Sequence, residues 1–254
     1  MNVLVTGSNG FIAKNLIVIL KKMQNIEILC FDRGNSLTDL EAFIKEADFI
    51  FHLAGVNRPD DKKEFYQGNS NLTQIIIDLI EKSKNYIPIL LSSSIQVGLD
   101  NDYAKSKLMS EKSVEKYSQK NNISCFIYRL SNVFGKWCRP NYNSVIATWC
   151  HNIANDIEIK VNDRSTELEL VYIGDVIHAF IEHLYRRKST ELYLTISRTF
   201  QKSLGEIEAL LYKFKKSRET LLIPSIGKGF ERVLYATYLS YLAEDNFSYE
   251  LTGY

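Results

Sequence analysis

An excess of charge of either sign is missing from this chain. Its 254 residues carry 31 Lys and Arg against 30 Asp and Glu, with a formal net charge of +1. The signs are interspersed, so no basic face is offered to a nucleic acid or an anionic membrane. The one local run, Lys213, Lys215, Lys216 and Arg218, reads as a solvated helix end. Long apolar runs are missing too, and the sequence opens directly in a β-branched strand with no charged leader. Neither a membrane-spanning helix nor a secretion signal is expected, and a cytoplasmic protein follows. Cysteine is scarce: Cys30, Cys125, Cys138 and Cys150 lack the paired spacing of a zinc site and are few for a disulfide scaffold. Buried free thiols are the expectation, most firmly for Cys30 and Cys125 in apolar strand runs. None of the four histidines pairs with another at ligand spacing, so no metal is expected. Repeats, low-complexity segments and obvious linkers are absent. What is present, 45% apolar content, suffices to bury a three-layer α/β core with a small extension.

A serine, a tyrosine and a lysine that could form one proton relay lie close together in the middle of the chain. Ser92-Ser93-Ser94-Ile95-Gln96 follows the apolar run Ile87 to Leu91, and Tyr103-Ala104-Lys105-Ser106-Lys107 follows after a short gap. A helix starting at Tyr103 puts Lys107 one turn later on the same face, where its ammonium could favour the ionised phenol. Ser94 could hydrogen-bond the carbonyl or alcohol oxygen that Tyr103 protonates or deprotonates. Alone, Tyr-x-x-x-Lys is a weak signal, because a tyrosine and a lysine at helical spacing are usually surface residues.

The context strengthens it. Asn2-Val3-Leu4-Val5-Thr6 reads as a strand, Gly7-Ser8-Asn9-Gly10-Phe11-Ile12-Ala13 as a glycine turn, and Leu16, Ile19, Leu20 and Met23 as the apolar face of a helix. Gly7 permits the tight turn, Gly10 lets the backbone approach a pyrophosphate, and small Ala13 lets the helix pack on the strand. Glu27 to Asp32 reads as the second strand, ending in an acid roughly 20 residues past the glycine loop, where a carboxylate can bind an adenosine ribose. That says NAD. Arg33 follows at once and could pair with the 2′-phosphate of NADP. The two signals conflict.

These stretches resemble the extended short-chain dehydrogenases/reductases, the branch containing nucleotide-sugar epimerases, dehydratases and reductases. Thr6 to Ile12 is similar to the glycine loop of that branch, Asp48 to Gly55 to its fourth-strand motif beside the nicotinamide ribose, and Arg129 to Gly135 to the segment after its sixth strand. More narrowly, Gly55-Val56-Asn57-Arg58-Pro59, Phe134 to Cys138, Pro140 to Thr148 and Leu210 to Lys215 resemble the capsule-sugar reductases within it. The resemblance implies a doubly wound parallel α/β sheet of Rossmann type with a small, mostly helical C-terminal substrate lobe. It implies one domain over 1–254, with its core at about 1–135 plus 157–180 and the lobe at about 136–156 and 190–254. Ser94, Tyr103 and Lys107 become the catalytic set. Gly7, Asn9, Gly10, Phe11, Ile12, Asp32, Arg33, Leu53, Ala54 and Gly55, with Tyr103 and Lys107, become the cofactor set. Arg58, Ser94, Gln96, Asn132, Lys136 and Asn143 would hold the substrate. The cofactor implied is NADPH, with NAD possible, and the partner is a UDP-linked amino sugar.

Departures from the pattern are informative. Ser36-Leu37-Thr38-Asp39 looks like a capped helix start running straight to Ala47, so the sheet is expected to lack a strand that relatives insert. Gln96 stands where dehydratases carry the first of two acids, which argues against elimination. Leu168 stands where relatives place a pyrophosphate-binding arginine, and Arg164 lies too early to replace it. His52 reads as a packed core residue. Asn143-Ser144 could cap a helix over Val145 to Ala154, and Ser203 with Glu206 forms a capping box for a later one. In the capsule-sugar reductases a segment like Phe247-Ser248-Tyr249-Glu250-Leu251 leads into a metal-binding cupin domain, whereas this sequence stops at Tyr254. The expectation is a reductase half, either served by a separate epimerase or belonging to a longer product. The expected activity is reduction of the C4 ketone of a UDP-2-acetamido-2,6-dideoxyhexos-4-ulose in capsule or O-antigen sugar synthesis, by a homodimer. The alternatives are a UDP-sugar 4-epimerase with retained NAD and a non-catalytic nucleotide-sugar-binding subunit.

Overall fold

Alternation of apolar and β-branched residues builds the main sheet. In the computed structural model, which describes residues 1–185, 191–220, 222 and 226–243, the chain begins with β1 (Asn2–Thr6), α1 (Phe11–Leu20), β2 (Glu27–Phe31), α2 (Leu37–Glu46) and β3 (Phe49–His52). A short α3 (Lys63–Phe65) runs through a π-helical turn at Tyr66–Asn71 into α4 (Leu72–Ser83). Then come β4 (Ile89–Ser94), a 3₁₀ turn at Ile95–Gly98, α5 (Asp102–Asn121) and β5 (Phe126–Leu130). After them follow β6 (Asn132–Phe134), α6 (Val145–Ala154), β7 (Glu167–Tyr172), α7 (Ile173–Tyr185), β8 (Tyr193–Leu194), β9 (Phe200–Ser203), α8 (Leu204–Thr220) and α9 (Phe230–Leu239). The segment 247–251 lies outside the described residues, as does part of the expected C-terminal lobe.

The chain divides into two compact units, Met1–Ser131 with Gly174–Ser197, and Asn132–Ile173 with Arg198–Tyr254. The first holds a six-stranded sheet in the order β2-β1-β3-β4-β5-β8, parallel throughout. On one face Leu4, Ile50, Leu91 and Ile127 meet Leu40 and Ile44 of α2, Ile76 and Ile80 of α4, and Val114 of α5. On the other, Phe51 and Tyr128 pack on Phe180 of α7. This is the parallel, doubly wound sheet expected, buried on both faces as such sheets must be. Ser36 caps α2 in a full capping box with Asp39, so β2 passes directly into the helix with no inserted strand. Because β2 is an edge strand, Cys30 is exposed rather than buried. The apolar run predicted strand correctly, but its pairing left that side chain uncovered.

The second unit has its own sheet, β6-β7-β9, with β6 and β7 parallel and β7 and β9 antiparallel. Its core joins Phe134, Trp149 and Ile153 to Leu211, Phe214, Leu234 and Tyr238. Ser144 caps α6 by accepting the Ala147 N–H, and Ser203 and Glu206 cap α8 reciprocally. Tyr235 and Tyr238 contact Phe214, and Tyr241 donates to the Cys138 carbonyl, so this run of tyrosines is a packed face. Gly135 is required where it stands: φ is +148°, and a Cβ there would lie 2.2 Å from Ile173 Cγ2. The unit boundaries differ from the expected 157–180 core segment. β7 pairs with β6 and β9, so the chain rejoins the first unit only at Gly174.

Within the first unit Tyr117 fastens α5 to the entry of β4. Its ring is buried, its hydroxyl donates to the Ile87 carbonyl at 2.8 Å and it accepts the Ile87 N–H at 3.0 Å. Tyr117→Phe leaves both backbone groups without that partner, and the expected cost is about 1–3 kcal/mol of unfolding free energy, read by urea denaturation. A variant as stable as the parent would show that the hydroxyl holds nothing.

Candidate active site

Four loops at the carboxyl ends of β1 to β4 gather the expected cofactor and catalytic residues of the first unit. Gly7 has φ +68°, and a Cβ added to it would lie 2.7 Å from Ala54 Cα, so only glycine lets the β1 turn close against the end of β3. The Gly10 N–H donates to the Gly7 carbonyl at 2.8 Å, and Gly10 is the N-cap of α1 with no side-chain cap bond. Phe11 and Ile12 open that helix, and buried Ala13 lets it pack closely. The N–H groups at the start of α1 are thus free of capping side chains, and Asn9 and Gly10 are exposed beside them. That is the cradle a dinucleotide pyrophosphate needs.

Asp32 accepts two backbone N–H groups. One of its carboxylate oxygens accepts the Asn9 N–H at 2.7 Å and the other the Arg33 N–H at 2.8 Å, so it fastens the glycine loop to the end of β2. Arg33 is exposed next to it. Leu53 and Ala54 follow β3, and the Ala54 N–H donates to Thr6 Oγ1 at 3.3 Å. A Cβ on Gly55 would meet Asn69 Oδ1 at 3.1 Å and Lys107 Nζ at 3.6 Å. A Cβ there would press on the Asn69 amide rather than on the ammonium.

The catalytic set converges between β4 and α5. Asn101 caps α5 through the Ala104 N–H, which starts the helix at Asp102 and places Tyr103 in its first turn. Ser94, at the end of β4, accepts the Gln96 N–H at 3.2 Å, while Gln96 itself is exposed. Burial pushes the Tyr103 phenol above its usual range, and its hydrogen bond with Ser94 pulls partway back. Lys107 is buried and donates to the Ser92 carbonyl at 2.6 Å. Burial lowers its ammonium from 10.5 to about 8, against the opposing pull of the Glu111 carboxylate. Proximity to Lys107 was expected to depress the phenol; burial wins instead, and the pair rests in its protonated, acid form.

Sequence reasoning missed the groups around this set. His52 is a core residue as expected, and both its ring nitrogens are engaged, Nδ1 with Thr6 at 2.7 Å and Nε2 with Thr73 at 2.8 Å. Burial and the Lys107 charge hold it neutral, with its pKa lowered to about 3. Asn69, in the π-helical turn, accepts the Val56 N–H and donates to the Val56 carbonyl and to Ser106, tying the β3 loop to α5. A π-turn is a signal to examine, but residue types alone did not reveal it.

The remaining expected residues are more open. Arg58 is exposed in the loop after β3. In the second unit exposed Asn132 donates to the Glu169 carbonyl, exposed Lys136 lies over the Trp137 ring at 4.8 Å, and Asn143 is exposed ahead of α6. Leu168 packs into that unit's apolar core, and Arg164 pairs with Glu208 at 2.7 Å. Among the described residues no group of three or more His, Cys, Asp or Glu is placed to hold a metal ion, and no helix is long and apolar enough to cross a membrane.

A glycine turn at the first strand of a parallel sheet and a Ser, Tyr, Lys cluster after the fourth define a dinucleotide-dependent oxidoreductase class. The chain belongs to the NAD dependent epimerase/dehydratase family, whose model matches residues 3–193. It is 45% identical over 251 residues, 99% of this chain and 68% of the relative, to the UDP-2-acetamido-2,6-beta-L-arabino-hexul-4-ose reductase of Pseudomonas aeruginosa. The crystal structure of the capsular polysaccharide assembling protein CapF from Staphylococcus aureus superimposes with a TM-score of 0.89 at 44% identity, over 98% of this chain and 68% of that one. The UDP-glucuronic acid 4-epimerase of Bacillus cereus shares the fold, with a TM-score of 0.78 at 18% identity over 95% of this chain and 96% of that one.

The buried ammonium makes stability pH-dependent with a definite sign. Lys107 titrates near 8 when folded and near 10.5 in its ordinary state, so between these values the unfolded chain holds a proton that the native one lacks. This group's contribution to stability therefore rises with pH across that window. Lys107→Met, which removes the buried charge, is expected to be more stable relative to the parent at pH 7 than at pH 10, the gap shrinking by up to about 3 kcal/mol. Parallel stability curves for the two proteins would mean the ammonium is not desolvated.

Proposed function

We propose that this chain reduces the C4 ketone of a UDP-2-acetamido-2,6-dideoxyhexos-4-ulose with NADPH, on the cytoplasmic route to an N-acetyl-L-fucosamine nucleotide for capsule or O-antigen. The observation that carries the reading is the convergence of Ser94, Tyr103 and buried Lys107 in a chain 45% identical, over nearly its whole length, to a reductase named for such a hexulose. Bound NADPH would supply the hydride to C4. Tyr103, kept protonated by burial, gives its proton to the carbonyl oxygen. Ser94, with a lone pair occupied by the Gln96 N–H, turns its own hydrogen toward that oxygen. Lys107 stabilises the phenolate left behind and holds the nicotinamide ribose, while Gly7, Asn9, Gly10, Phe11, Ile12, Leu53, Ala54 and Gly55 cradle the rest. Arg58, Gln96, Asn132, Lys136 and Asn143 are assigned to the sugar nucleotide.

Exposed Arg33, just past the end of β2, supports NADPH over NADH. Its guanidinium is a charge available to a 2′-phosphate. A homodimer through α4 and α5, the pairing extended relatives use, belongs to the same reading, and a concentration-independent monomer in sedimentation would remove it.

The test is NADPH absorbance against a panel of UDP-4-ketohexoses. One NADPH is expected to be oxidised per ketose reduced; interconversion of 4-epimers without net NADPH consumption would replace the reading with epimerisation. Tyr103→Phe is expected to lower kcat by about 10²–10⁴-fold with NADPH binding nearly unchanged. Full activity in that variant would remove Tyr103 from the chemistry. Arg33→Ala is expected to weaken NADPH binding by about 10–100-fold, the worth of a charge-assisted hydrogen bond, and to leave NADH binding as it was. Equal affinity of the parent for the two cofactors would return the ribose to Asp32.

A further inference from the structure

A fully buried carboxylate lies one helical turn beyond Lys107, and the reaction as proposed leaves it without a task. Glu111 of α5 is 0% exposed. Its Oε1 accepts the Ser93 hydroxyl at 2.6 Å and the Arg129 Nε at 3.1 Å, and its Oε2 accepts Arg129 Nη2 at 2.7 Å. Ser93 stands between the two functional positions of β4, the Ser92 carbonyl that takes the Lys107 ammonium and the Ser94 hydroxyl that meets Tyr103. Arg129 is on β5, paired in register with Ser93, and its guanidinium stacks 4.7 Å over the Tyr193 ring of β8. One carboxylate thus ties three strands to the helix that carries both Tyr103 and Lys107. Burying a charge is costly unless every oxygen is satisfied, and here the partners all hold it at one place.

We propose that Glu111 is a positioning residue for the proton-transfer pair: it fixes the end of β4 against α5 and places its carboxylate one helical turn beyond the Lys107 ammonium as an electrostatic partner. The inference rests on the proposed role of Lys107 in the reductase. The groups facing Lys107 are few. From β3 comes His52, held neutral by burial and by the Lys107 charge; from β4 comes the uncharged Ser92 carbonyl. The π-helical turn presents the Asn69 amide across Gly55. On α5 itself stand the protonated Tyr103 and Glu111, whose carboxylate also accepts from the cationic Arg129 of β5. Glu111 is therefore the one anion among these groups that opposes the desolvation of Lys107.

The test titrates Lys107 in the whole chain without substrate, using lysine labelled with carbon-13 at Cε and assigning Lys107 by the signal lost in Lys107→Met. Glu111→Gln keeps the shape and removes the charge. The expected result is a Lys107 midpoint lower by about one pH unit, tenfold in proton affinity, while Ser93→Ala, which leaves the charge in place, moves it by less than about 0.2. In the turnover assay the alkaline fall of kcat/KM shifts down by the same amount as in the titration. A midpoint in Glu111→Gln equal to or above the parent's overturns the inference. Should Glu111→Gln fail to fold, Glu111→Asp decides: the retracted charge lowers the midpoint by a smaller step, about 0.3 unit, and no movement overturns it. Because the titration needs no turnover, a parent inactive on every ketose would sink the proposed reaction and leave this result standing.

Discussion

The ammonium of Lys107 is buried, and much of the first unit is arranged around keeping it so. Only a carbonyl directly opposite, Ser92 at 2.6 Å, and an anion within a turn make such a site tolerable. Both come from fixed elements, the end of β4 and the third turn of α5. Gly55 is small where a Cβ would press on Asn69 Oδ1 at 3.1 Å, beside the ammonium. His52, the neighbour that could have added a second positive charge, is instead held neutral by burial and by the Lys107 charge itself. Remove the parallel sheet that aligns β3, β4 and β5, and the charge has neither its acceptor nor its counter-ion.

Features that depend on neighbours in sequence were legible in the sequence. The Gly7 turn, the Ser36/Asp39 and Ser203/Glu206 capping boxes, a helix start at Tyr103 that falls within one residue of the observed Asp102, and the missing strand after β2 all follow from residues within one or two turns. Features set by tertiary packing were not. The exposure of Cys30 depends on β2 being an edge strand. The departure of β7 into a second sheet depends on its partners β6 and β9. The upward displacement of Tyr103 depends on burial by distant elements, whereas spacing alone showed a nearby lysine. Glu111 had a faint signal, an acid on the buried face of a helix, but the Arg129 that makes it tolerable lies 18 residues away.

Asp32 and Arg33 carry two local signals that point to different cofactors, and both keep a place in the structure. An acid at the end of the second strand has two possible uses, toward a ribose or toward the backbone that precedes the first helix. Here one oxygen accepts the Asn9 N–H at 2.7 Å and the other the Arg33 N–H at 2.8 Å. The first bond ties the glycine loop to the end of β2. Each oxygen keeps a further acceptor site, so the acid can shape the loop and still face a hydroxyl.

Protonation also sets the resting state of the site. A phenol raised by burial and an ammonium lowered only to about 8 are both charged with protons at neutral pH, the form from which a carbonyl oxygen can be protonated. Oxidation of an alcohol would need the opposite starting state, a phenolate, which desolvation opposes in this pocket of the first unit. A site that must run equally in both directions gains from a phenol poised near the working pH, but the forces acting on Tyr103 move it away from that point. The electrostatics of the resting protein therefore leave Tyr103 holding its proton, and they do so through the burial that surrounds the phenol.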